Sequence, residues 1–293
     1  VALTLRLLGG LSVEEIARSF LVPDTTTAQR IVRAKRKLRD NHAPYRIPRA
    51  AELPDRLQSV LAAIYLIYTE GHTATSGGGL TRVDLSSEAI RLGRVLVSLM
   101  PDEPEALGLL ALLLLTEARR EARLAADGSM VRLADQDRGR WDGGLIDEGH
   151  QLVRACLRRN QPGSFQIQAA IAAVHADAPT ASDTDWSQIA ALYDQLLAVA
   201  PNPVVALNRA VAMAELDGAA VGLALVEAAG RDCVLDDYQP YHAARADLLA
   251  RAGRAAEAVA AYDRALALTS NPAERDFLGG QRDAVIRGWK RTS

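Results

Sequence analysis

The chain has 293 residues, with 34 Lys and Arg against 36 Asp and Glu, and only two cysteines. That length buries large cores without disulfides or structural metals, and it suits two units or one unit plus a repeat array. A net charge of -2 argues on its face against a polyanion partner; no charged, apolar leader opens the chain, and its longest apolar run, Leu109 to Leu115, is far short of a bilayer span, so a soluble cytoplasmic protein without a membrane partner is expected.

The charge is unevenly placed. Residues 1 to 50 hold ten Lys and Arg against four acids, a net of +6, which leaves -8 for the rest. A basic head on an acidic body suggests one polyanion-binding module and a body able to touch that head or a basic partner. Aromatics make up 4% and no Val/Ile/Tyr-rich stretch alternates with period two, so the expected fold class is all-α. Cys156 and Cys233 have no metal-site spacing around them and read as small buried hydrophobes in a reducing cytoplasm.

Ser12 followed by Glu15 is a capping box, which predicts a short helix through Phe20 with Ile16, Ala17 and Phe20 facing inward. Pro23 cannot continue it, and Asp24 is expected to N-cap a second helix from about Thr25 to Arg39, with Thr27, Ile31, Ala34 and Leu38 on its inner face. Two helices joined by a tight turn follow.

Three prolines within residues 40 to 54 read as a stiff linker, which divides the chain into a helix-turn-helix unit at 1–40, a linker at 41–54 and a helical body at 55–293. Apolar periodic stretches at 55–69, 81–99, 104–118, 140–158, 164–176, 185–199, 203–216, 219–229, 239–252, 255–268 and 272–288 predict eleven further helices. A joint of apolar residues, proline or Asn-Pro, then a new helix recurs at Pro101, Pro201 and Asn271-Pro272. The clearest unit runs from Tyr241 to Ser270, with Gly253 in its turn and Ala258, Tyr262 and Ala265 on its second helix. It resembles the tetratricopeptide repeat, with a generic helical domain as the alternative.

Reading a DNA sequence requires an element that fits the major groove and offers donors to base edges. The helix from Thr25 presents Thr25, Thr26, Gln29, Arg30 and Arg33 in its first turns, while Lys35, Arg36, Lys37 and Arg39 suit phosphates. A basic helix end alone is usually a solvated face; here it follows a capped helix and a proline turn, the order of a helix-turn-helix.

The stretch Leu11-Ser12-Val13-Glu14-Glu15-Ile16-Ala17, continued from Val22-Pro23-Asp24 to Arg33-Ala34-Lys35-Arg36-Lys37-Leu38-Arg39, resembles region four of extracytoplasmic-function sigma factors. With the helical tail, the chain is similar to the group that bears a large C-terminal tetratricopeptide-like extension. The resemblance implies recognition of the -35 promoter element and RNA polymerase core as partner. It also implies an extension that influences sigma activity in place of an anti-sigma protein, through intramolecular contact with the polymerase-binding sigma domain. Leu21 stands where glycine is usual in the turn, Ala28 at a common Lys or Arg position and Thr25 at a common Gly position, so the base preference does not carry over. Val1 to Leu8 opens inside an expected helix, so the chain is expected to be a fragment or a late start without the polymerase-binding region, unable alone to initiate transcription.

No catalytic constellation, cofactor motif or metal set is expected: the five histidines are scattered, and Ser76-Gly77-Gly78-Gly79 lacks the lysine of a phosphate cradle and reads as a loop. Asp183, Asp185 and Trp186 read as helix capping. Tyr65, Tyr68, Glu70 and His72 are candidates to line a ligand pocket, against core packing and capping as the ordinary explanation. Two other functions stay open: a one-component regulator whose repeats sense a peptide or small molecule, and a helical-repeat interaction scaffold.

Overall fold

Capping and proline placement decide where each helix starts. The structure, a computed structural model, describes residues 1–40, 53–75 and 79–292. The three-proline stretch, apart from Asp40, Leu53 and Pro54, lies outside the described residues, as do His42 and Ser76 to Gly78. Among the described residues the fold is all-helical, in the order α1 Ala2–Leu7, α2 Val13–Ser19, α3 Asp24–Asp40, α4 Leu53–His72, α5 Val83–Leu99, α6 Pro104–Glu117 and α7 Gly143–Arg159, and then α8 Ser164–Asp177, α9 Trp186–Val199, α10 Pro203–Asp217, α11 Ala219–Ala229, α12 Gln239–Arg251, α13 Ala255–Leu268 and α14 Pro272–Thr292. The eleven stretches expected beyond the first helix pair correspond to α4–α14. No helix of the described residues is long and apolar enough to cross a membrane.

The recurring joints act as helix starts. Asn202 Oδ1 accepts from Val204 N–H at 2.8 Å and Pro203 takes the first helical position of α10. Asn271 does the same for α14, accepting from Ala273 N–H at 3.0 Å. Asp185, as expected, N-caps α9 by accepting from Gln188 N–H at 2.9 Å. The start of α8 is capped from a distance: its N-cap is Gly163, and the Glu105 carboxylate of α6 accepts from Phe165 N–H at 3.1 Å and Gln166 N–H at 3.2 Å.

α6 is apolar all round, as a helix packed on every side must be. Leu109, Leu113 and Leu114 are fully buried, and α4, α5, α7 and α8 surround it. A Cβ at Gly108 would stand 2.6 Å from Gln166 N, so only glycine lets α6 and α8 approach this closely. α8 packs chiefly on α6, and beyond it each helix packs chiefly on its chain neighbours, α9 on α10, α10 on α11 and so on to α14. Ala258 and Ala265 are fully buried and Tyr262 nearly so, the pattern expected of the 241–270 unit. Gly253 makes the turn between α12 and α13 at φ 76°, where side chains are disfavoured.

Two long-range features follow. Leu5, Ile16 and Ile31 of the first three helices and Leu11 between α1 and α2 share one apolar cluster with Leu57, Leu61 and Ile67 of α4 and Leu109 of α6. The last joint also returns to the first part of the body: Asn271 Nδ2 donates to Ala74 O at 2.8 Å and Gly79 O at 3.1 Å, and Ser270 Oγ donates to Thr75 O at 2.9 Å. The helical array is thereby closed on itself by residues almost two hundred apart in the chain. Of the cysteines, Cys156 is buried as expected. Cys233 is exposed, since it lies at φ 56° in the turn between α11 and α12 and not on a packed helix face.

Candidate nucleic-acid interface

The helix pair is built by local bonds. Ser12 Oγ accepts from Glu15 N–H at 3.1 Å while Ser12 N–H donates to Glu15 Oε2 at 2.7 Å, the reciprocal capping box that starts α2. Glu15 is also buried against Arg82, 3.4 Å away, which ties α2 to the start of α5. α2 ends at Ser19, and Phe20 is its C-cap. Leu21 then adopts φ 51°, and Leu21 N–H donates to Arg18 O at 3.0 Å and Val22 N–H to Ala17 O at 3.1 Å. That pair of bonds is the left-handed helix stop that glycine normally serves, so this turn tolerates the strained backbone with a leucine in place.

α3 begins one residue earlier than the sequence suggests. Asp24 is not its N-cap; it sits inside the first turn, and Pro23 O accepts from Thr26 N–H at 3.0 Å. The carboxylate still favours that end through the helix dipole. Thr27 and Ile31 are buried, facing α1 and α2. Leu38, expected on the inner face, is 53% exposed: among the described residues α3 packs chiefly on the short helices α1 and α2, and its last turns extend beyond them.

Thr25, Gln29, Arg30, Arg33, Lys35, Arg36, Lys37 and Arg39 are exposed and Thr26 half-buried, so all nine residues expected to meet DNA lie on one accessible helix. Arg36 Nε sits 3.2 Å from Asp40 Oδ2 and Arg39 3.7 Å from Asp40 Oδ1. Pairs this exposed hold their partners by about 0 to 1 kcal/mol, so a phosphate displaces the carboxylate easily.

The four candidate pocket residues are dispersed. Tyr68 Oη donates to Glu117 Oε2 at 3.2 Å and its ring stacks on His72, and neither residue lines the two cavities that take in Tyr65 and Glu70. Burial, with the Glu117 carboxylate second, holds the Tyr68 phenol well above its ordinary value, and burial with Arg123 and Arg119 pushes His72 well below the ordinary histidine value. Glu70 accepts from Thr75 N–H at 2.9 Å and Thr75 Oγ1 at 2.6 Å and lines a cavity of about 710 Å³. Burial raises its pKa. Tyr65 meets Phe165 edge-on and lines a second cavity of about 890 Å³ that also takes in Arg18, Arg119 and His175. Sequence reading missed those three because they come from separate parts of the chain with no shared spacing.

The helix pair now has a relative. Residues 1–38 match the family Sigma-70, region 4. The segment is therefore a sigma-factor-like helix-turn-helix, of a DNA-binding class that serves transcription. Residues 56–157, from α4 to α7, match a Family of unknown function (DUF6596). An uncharacterized protein of Rhizobium meliloti (strain 1021) is 45% identical over 283 residues, which is 97% of this chain and 66% of that protein. The chain thus spans about two thirds of the curated relative it matches. The region 4 match ends at residue 38, and neither family match assigns the body to the tetratricopeptide repeat.

Proposed function

We propose that this chain recognises the -35 element of promoters as part of a sigma factor in the cytoplasm, without enzymatic activity of its own. Its helical body, of the tetratricopeptide type, is the regulatory part. The observation that carries the reading is the accessible donor face of α3 on a segment that matches sigma-70, region 4. Gln29, Arg30 and Arg33, with Thr25 and Thr26, meet base edges; Lys35, Arg36, Lys37 and Arg39 meet phosphates. RNA polymerase core is the protein partner, and contact between the body and the polymerase-binding sigma domain is the route by which the body acts.

A duplex selected from a random library by the purified chain supplies the specific site. Arg30→Ala and Gln29→Ala should each weaken binding to it by about 1 to 3 kcal/mol and relax discrimination, whereas Lys37→Ala should weaken all duplexes alike and lower the salt slope by about one. Discrimination left intact by Arg30→Ala would show that α3 is not the reading helix. A regulator that senses a small molecule is the second reading, favoured by the cavity that Arg18 and Arg119 share.

A further inference from the structure

The cavity of about 890 Å³ lies between α4, α6, α8, α9 and α10, with the turn after α2 as one wall. Its size is that of a small-molecule site. No Asp or Glu lines it, in a chain with 36 acids, and its charged side chains are two arginines, Arg18 and Arg119. The neighbouring cavity of about 710 Å³ is acidic, lined by Asp24, Glu70, Asp237 and Glu274, and Arg18 stands on the boundary, lining both cavities.

Neither arginine is neutralised from within. Among the described residues no carboxylate reaches ion-pair distance of Arg119 or Arg18. Arg18 Nη1 donates to Thr75 O at 3.2 Å, and the Arg119 guanidinium lies 6.0 Å from the Trp141 ring centroid. The residue next in sequence shows the contrast: Arg120 pairs with Glu117 at 2.7 Å and Glu121 at 3.3 Å. Burial lowers the pKa of Arg119, Tyr68 works against that and Arg138 adds to it, and the net lowering means the charge is held at a cost that a counter-anion would relieve. His175 contributes no charge, since burial and then Arg119 and Arg138 push its pKa down to about 4. Its Nδ1 is buried without a hydrogen-bond partner. Gln168 and Asn208 add neutral polar groups, and Tyr65 adds an aromatic wall.

We infer that this cavity binds a small organic anion, a carboxylate or phosphate on an aromatic or apolar body, with Arg119 and Arg18 holding the anionic group. The site stands apart from the promoter reading, because its binding needs no DNA.

The test uses the whole chain and the fluorescent aromatic anion anilinonaphthalene sulfonate, with neutral Nile red as the control probe. The sulfonate should bind saturably, one per chain, and be displaced by benzoate or phenyl phosphate but not by benzyl alcohol. Arg119→Gln should weaken it about tenfold or more, as loss of a charge-assisted bond does, and Arg119→Lys should recover part of the affinity. Arg18→Gln, at an exposed position that does not endanger folding, should weaken it as well. Arg91→Gln, which removes a surface pair with Glu88, should change nothing. Nile red should bind the wild type and Arg119→Gln alike. The inference is overturned if the wild type shows no saturable anion binding, or if Arg18→Gln and a folded Arg119→Gln both bind the sulfonate as the wild type does.

Discussion

Asn271→Ala tests whether the helical array is closed. The Asn271 side chain is fully buried and works in two directions. Its Oδ1 accepts from Ala273 N–H at 3.0 Å and Glu274 N–H at 3.4 Å, which starts α14, and its Nδ2 reaches Ala74 O at 2.8 Å and Gly79 O at 3.1 Å. Loss of an N-cap costs about 1 kcal/mol, and two carbonyls deprived of their donor cost about 1 kcal/mol each, so the substitution should destabilise by about 3 kcal/mol. Asn202→Ala is the matched control, since Asn202 caps α10 through Val204 N–H at an exposed site and should cost about 1 kcal/mol. Urea denaturation of both variants measures the difference of about 2 kcal/mol that belongs to closure alone. Amide exchange adds a local reading, because Ala74 N–H, bonded to Leu80 O at 2.8 Å, should lose protection in Asn271→Ala only. Equal midpoints for the two variants, with that amide unchanged, would refute the closing contact.

Leu21→Gly should be about 1 kcal/mol more stable than Leu21→Ala, since both lose the same burial and only alanine keeps the left-handed penalty at φ 51°; the reverse order in thermal melts would mean the turn is not left-handed. Ala258→Trp, at a fully buried position between α12 and α13, should cost about 1 to 3 kcal/mol or more by overpacking, and an unchanged melting temperature would place that residue on the surface. His175 titrates near 4 in the fold against 6.5 for an ordinary histidine, so the unfolded chain takes up the proton first and stability falls as pH drops from 6.5 towards 4. The loss is about 3 kcal/mol at most, and His175→Gln should flatten that part of the stability profile; an equally steep profile in the variant would assign the dependence elsewhere.

Much of this molecule is local chemistry and was legible as such. Helix bonds join residues four apart, so apolar spacing, the Ser12–Glu15 box, the Asn-Pro joints and the glycine at 253 placed α2 and α4 to α14 and located the exposed basic face of α3. Small misreadings arose where packing decides. Leu38 has the right spacing for an inner face but α1 and α2 are too short to cover it, and Leu21 fills a glycine position because neighbouring bonds hold the turn. Tyr65, Tyr68, Glu70 and His72 are not gathered in one cavity for a related reason: residues close in sequence on one helix point in different directions, and here Tyr65 and Glu70 line separate cavities while Tyr68 is buried and stacks on His72. What the tertiary structure alone decided is carried by contacts between residues far apart in the chain, which leave no periodic trace. Glu105 caps a helix some sixty residues later, Asn271 closes the array on Ala74 and Gly79, and Arg18 and Arg119 line one cavity without acids only because helices from separate parts of the chain are brought around it.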